Sequence, residues 1–144
     1  MNLLEHFDHH GKKQDKEHFM NLIQVAIADG IIDPTETEML HRFGKKLGFT
    51  DHEIDDLIES TSKSAYIPPY EFSKRFEQVY DIVKMVLADG VIDKNEMRLA
   101  NAFATKSGFT EHEIPKLLSL LIIGIKEGKD EEDLFEEYKK QRKT

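Results

Sequence analysis

Two nine-residue stretches hold the residues best suited to chemistry. Ala28-Asp29-Gly30-x-Ile32-Asp33-x-x-Glu36 recurs as Ala88-Asp89-Gly90-x-Ile92-Asp93-x-x-Glu96. Carboxylates grouped around a glycine are hard oxygen ligands of the kind that calcium, magnesium and manganese prefer and zinc accepts. On this reading Asp29, Asp33 and Glu36 converge on one divalent cation (Ca, Mg, Mn or Zn). Water, or Asp89, Asp93 and Glu96 of the second copy, completes the shell. Four of the six acids also have a purely structural account. Asp33 is a good helix N-cap, Pro34 suits the first helical position, and Glu36 three residues on completes a capping box, which Asp93 and Glu96 repeat. Asp29 and Asp89 fit that account less well. They fall at the C-terminal end of a helix, where the dipole makes a carboxylate unfavourable by about 0.3–1 kcal/mol unless an Asx-type turn bond compensates. Without such a bond a local rule is broken twice at matching positions, and breaks of that kind tend to fall at functional sites.

The glycine, the apolar residue two further on and the closing glutamate also resemble the second half of an EF-hand calcium loop. The first half is missing. Val25 and Ile27, or Met85 and Leu87, stand where that loop needs its first carboxylates, so an ordinary EF-hand cage is not expected.

The elements that hold these turns repeat as well. Residues 21–54 laid over 81–114 without a gap give 14 identities in 34 positions, an internal duplication. Each copy reads as three helices. Phe19, Leu22, Ile23, Ala26 and Ile27 share one helical face, and Val79, Ile82, Val83, Val86 and Leu87 repeat the stripe. Gly30 and Gly90 supply the left-handed residue that ends a helix. The second helix buries Met39, Leu40, Phe43 and Leu47, or Leu99, Ala100 and Phe103, and stops at Gly48 or Gly108. Thr50 with Glu53, and Thr110 with Glu113, cap a third helix. In the second copy that helix runs to about Lys126, with Pro115 near its start kinking it or trimming its first turn. Gly128 breaks it, and Asp130 with Asp133 caps a final helix.

The expected architecture is all-α, about seven helices: two similar three-helix units (17–60 and 77–126) about a pseudo-twofold axis, plus a C-terminal helix at 130–141. Residues 61–70, with Ile67-Pro68-Pro69, form a linker inside a single domain spanning 1–144. No segment reads as a strand.

The turns, together with Gly48-Phe49, Glu53 and Gly108-Phe109, resemble the tellurite resistance protein B (TerB-like) family, a fold seen also at the N-terminus of the co-chaperone DjlA. The resemblance covers roughly residues 17–125. It implies a small all-α fold of about seven helices with pseudo-twofold symmetry, a role in tellurite or other stress resistance in bacteria, and an acidic metal-binding surface. No His-Pro-Asp signature of a J domain is present.

Composition narrows the remaining classes. The chain has 144 residues, 20 Lys+Arg against 28 Asp+Glu, and a net charge of −8. That acidic balance argues against nucleic-acid binding, which needs a basic surface. With no cysteine, disulfides, thiolate metal sites and cysteine catalysis are excluded. The N-terminus has only two consecutive apolar residues before charge intervenes, too few for a signal peptide, and the longest apolar stretch, Leu117 to Ile125, is far short of the ~20 residues of a membrane span. A cytoplasmic location without membrane insertion is expected. Residues 17–60 hold 3 bases and 10 acids (−7), against 5 and 7 (−2) for 77–120. The acidic face at Asp51, Glu53, Asp55, Asp56 and Glu59 is therefore either a solvated surface or a docking patch for another protein. His6, His9 and His10 read as a solvated run, with transition-metal binding as the alternative. His52 and His112 read as surface or packing residues, since no nucleophile stands near them for a triad. The chain is expected not to be an enzyme. A hydrolase would need acids of the two units within several ångström across a cleft, one with a raised pKa. The oligomeric state is left open by the sequence.

Overall fold

The computed structural model describes residues 16–27, 34–61, 63–87, 92 and 94–142. Among these, seven helices and no strand are found: α1 over 16–27, α2 Pro34–Lys46, α3 Asp51–Thr61, α4 Phe72–Val86, α5 Lys94–Lys106, α6 Ile114–Lys126 and α7 Glu131–Arg142. The protein is all-α, as its periodicity implied. Its contacts fall into two compact units that divide between Tyr66 and Ile67, inside the proline-containing linker.

In the first unit (α1–α3), Phe19, Leu22, Ile23, Val25 and Ala26 of α1 are buried. Met39, Leu40 and Phe43 of α2 and Ile54 and Leu57 of α3 join them. Ile27 and Leu47, expected in the core, are only half-buried, whereas Val25 is fully enclosed. Helix α2 ends on Gly48 at φ 93°. The Gly48 N–H donates to the Lys45 carbonyl at 3.0 Å and the Phe49 N–H to the Gly44 carbonyl at 2.9 Å, a Schellman cap. Phe49 then turns inward and stacks on Phe19 with ring centroids 5.8 Å apart. Thr50 and Glu53 form the expected capping box, Thr50 N–H to Glu53 Oε1 at 2.9 Å and Glu53 N–H to Thr50 Oγ1 at 3.1 Å.

The second unit (α4–α7) repeats this grammar. Gly108 takes φ 94°, and its N–H and that of Phe109 close on Thr105 and Ala104 at 3.1 and 3.2 Å. Thr110 and Glu113 make the same reciprocal box at 2.9 and 3.3 Å. Pro115 then has the trimming effect. Residues 111–113 form a turn and regular helix begins at Ile114, whereas α3 begins directly after Thr50. A third glycine cap at Gly128 (φ 82°) ends α6, and the Asp133 N–H donates to Asp130 Oδ1 at 2.9 Å to start α7. Helix α7 packs on α6 and α4 through Leu134 and Tyr138. Gly124 admits it: a Cβ there would lie 2.2 Å from Leu134 Cδ2.

Candidate functional site

Both acidic turns sit in the same kind of connection. One helix extends to Ile27 and the next begins at Pro34; in the second unit α4 ends at Val86 and α5 begins at Lys94. Asp33 and Asp93 thus immediately precede a helix start, the position an N-cap occupies. Asp29, Asp33, Asp89 and Asp93 themselves lie outside the described residues, as does the side chain of Glu36 and the three N-terminal histidines. Glu96 is described. It lies in the first turn of α5 and is buried at 6% exposure, where a capping-box glutamate folds back on the chain. Among the described residues no group of three His, Asp or Glu side chains could hold a metal ion.

The described residues do bring other ionisable groups together. On the first unit His41 of α2 lies between two carboxylates of α3. Its Nδ1 is 2.8 Å from Asp51 Oδ1 and its Nε2 is 2.7 Å from Asp55 Oδ1. Asp51 and Asp55 are four residues apart and so share one face of α3, aimed at α2. Lys45, one turn beyond His41, reaches Asp51 at 3.2 Å. The hydrogen bond to Asp51 raises the His41 pKa above its ordinary value; burial opposes this and Asp55 adds to it. Asp51 is held below the usual carboxylate range by His41 and then by Lys45. This cluster was not legible beforehand. The pattern of acids at 51 and 55 points to a solvated face or a docking patch, and nothing in the spacing from 41 to 51 marks a contact across a hairpin. Of the histidines expected to be surface or packing residues, His52 is exposed and 3.4 Å from Asp56, and His112 is exposed too.

On the second unit the comparable feature is Glu113. Its carboxylate accepts from the buried Tyr138 hydroxyl of α7 and from the Thr110 N–H, and Arg142 Nε stands 3.3 Å away. Burial pushes Glu113 up, but those bonds and the Arg142 charge outweigh it and hold the carboxyl below its ordinary value. Burial and then Glu113 push the Tyr138 phenol up in turn. Phe72, Phe76 and Phe109 pack around Tyr138, and Phe135 meets Phe72 and Phe76, the Phe76–Phe135 centroids lying 5.0 Å apart. The Arg142 guanidinium lies over Phe72 at 4.5 Å. This arrangement docks α7, and Thr110, His112, Glu113, Lys116 and Arg142 line an open pocket beside it. Elsewhere on the unit, burial and then the nearby Glu77 and Asp81 of α4 raise the Glu131 pKa. A shallow groove between α6 and α7, floored by Leu120, Ile123 and Gly124, is edged by Lys116, Lys129 and Glu137.

Among the described residues no helix is long and apolar enough to cross a membrane. Compared with known proteins, the chain matches no family model, no curated protein and no solved structure.

Proposed function

We propose that this chain is a non-enzymatic bacterial module of the TerB-like kind, linked to tellurite or related stress, that takes up a divalent cation at its acidic Asp-Gly turns. The observation that carries the reading is the duplication of the setting as well as the sequence. Each turn joins a buried apolar helix to a second helix that begins one residue after Asp33 or Asp93, and each second helix ends in the same glycine cap and threonine–glutamate box. The all-α fold of seven helices is the one the resemblance implies. The ligands in this reading are Asp29, Asp33 and Glu36, with Asp89, Asp93 and Glu96 as their counterparts.

A second reading has its own support: the turns serve only as helix caps in a structural or protein-interaction module. The same Thr/Asp-x-x-Glu pattern is engaged in capping at Thr50–Glu53 and Thr110–Glu113, and Glu96 is buried rather than open to solvent. On that account a protein partner would meet the chain at the exposed acids Asp51, Asp55, Asp56 and Glu59 of α3.

Melting curves of the chelator-treated protein with millimolar calcium, magnesium, manganese or zinc separate the two. A cation at a hundredfold over its Kd stabilises by ~2.7 kcal/mol, a shift of several degrees for a chain of this size. The cation reading expects such a shift for one ion, abolished in the Asp29→Asn, Asp89→Asn double variant. An unchanged melting temperature with every ion overturns it and leaves the turns as caps.

A further inference from the structure

We propose that His41 is a proton-operated clip between α2 and α3, tightened when the imidazole carries both protons and loosened when it becomes neutral. The geometry leaves little choice of protonation state. A neutral imidazole has one N–H and one lone pair, so it can donate to a single carboxylate. Here both ring nitrogens stand within hydrogen-bonding distance of a carboxylate, 2.8 Å to Asp51 and 2.7 Å to Asp55. Only the imidazolium donates to both. Removing one proton would set a nitrogen lone pair against a carboxylate oxygen and break one of the two links to α3.

Among the described residues, the charges acting on the ring are Asp51 and Asp55 of α3. On its own helix, Lys45 bonds to Asp51 and so helps keep that acid ionised. No charged group of α1 is among those that act on the ring. The clip therefore follows two titrations of opposite sense. His41, with its pKa raised, contributes fully below its unfolded value of 6.5 and loses its contribution as pH rises through the higher folded value. Asp51, with its pKa lowered, contributes above its unfolded value of 3.8 and loses its contribution only as pH falls through the lower folded value. The clip is strongest at mildly acidic pH and weakens as the medium becomes alkaline.

The device belongs to the first unit alone. At the matching positions of the second repeat stand Asn101, Glu111 and Pro115, which supply neither the imidazole nor the second carboxylate. None of its residues is among the proposed cation ligands.

The test is a histidine-resolved NMR titration of the full chain, wild type beside Asp51→Asn and Asp55→Asn, two exposed positions whose replacement leaves the core intact. The expected result is a His41 pKa above 6.5 with both ring nitrogens protonated at pH 6, falling toward or below 6.5 in each variant. A His41 pKa at or below 6.5 in the wild type, or one that neither variant lowers, overturns the proposal.

Discussion

The two repeats share a frame and differ in how it is braced. Both end their second helix on a glycine cap, turn a phenylalanine inward and start the third helix with a reciprocal threonine–glutamate box. In the first unit the brace is polar and peripheral, with His41 reaching from α2 to two acids of α3. In the second it is a whole helix: α7 brings Leu134 against Gly124 and Tyr138 into a ring of aromatic side chains beside Glu113. One duplicated sequence thus carries two kinds of reinforcement. A buried apolar brace is insensitive to pH near neutrality, whereas an imidazole between carboxylates is not.

The largest expected effect breaks the second unit's brace. Leu134 is fully buried, so Leu134→Ala costs about 2–5 kcal/mol, from lost transfer energy and the cavity left over Gly124. Denaturant unfolding followed by circular dichroism measures it, and a loss under 1 kcal/mol would mean that α7 is not part of the core.

Next comes Tyr138→Phe, which removes a hydrogen bond to a charged acceptor at a cost of about 1.5–3 kcal/mol. Its pH signature has a definite sign. Glu113, held below its ordinary value of 4.5, contributes stability above that pH and loses it as pH falls through the lower folded value. Without the phenol its folded pKa moves back up, so the variant loses less further stability on acidification than the wild type does.

A smaller effect sharpens the comparison between repeats. The second repeat already carries Ala104 where the first has Gly44. At Gly44, however, a Cβ would lie 2.5 Å from Cδ1 and Cγ1 of the buried Ile54 and 3.1 Å from Phe19. Gly44→Ala therefore sets an overpacking cost of about 1–3 kcal/mol against roughly 1 kcal/mol gained in helix propensity. The net is a modest destabilisation, and a stabilised variant in the same unfolding assay would show that the two cores are interchangeable here.

What could be read from the sequence follows a physical division. Helix stops at Gly48, Gly108 and Gly128 and starts at Thr50 and Asp130 are set by interactions within five residues, so local patterns report them. The apolar stripes of α1 and α4 are periodic and equally legible, although the face of α1 is rotated enough to enclose Val25 and leave Ile27 half-exposed. The pairing of His41 with residues 10 and 14 further on is tertiary, and its absence from the second repeat removes the duplication signal that exposed everything else. The docking of α7 was hidden for a related reason. Only Leu134 and Tyr138 of that strongly charged helix are buried, too few to stand out as a stripe. Of the six acids expected to hold a cation, Glu96 is the one whose side chain is described, and it is buried in the first turn of α5.

The contrast between a protonated clip and a buried helical brace is tested most directly by residue-resolved hydrogen exchange at pH 5.5 and pH 8, expressed as protection factors. The account predicts that amides of α2 and α3 lose protection on going to pH 8 while those of α4 and α6 keep theirs, and that Asp55→Asn removes the difference between the two pH values in α2 and α3. Equal changes in both units, or a pH-independent α2–α3 hairpin in the wild type, would contradict it.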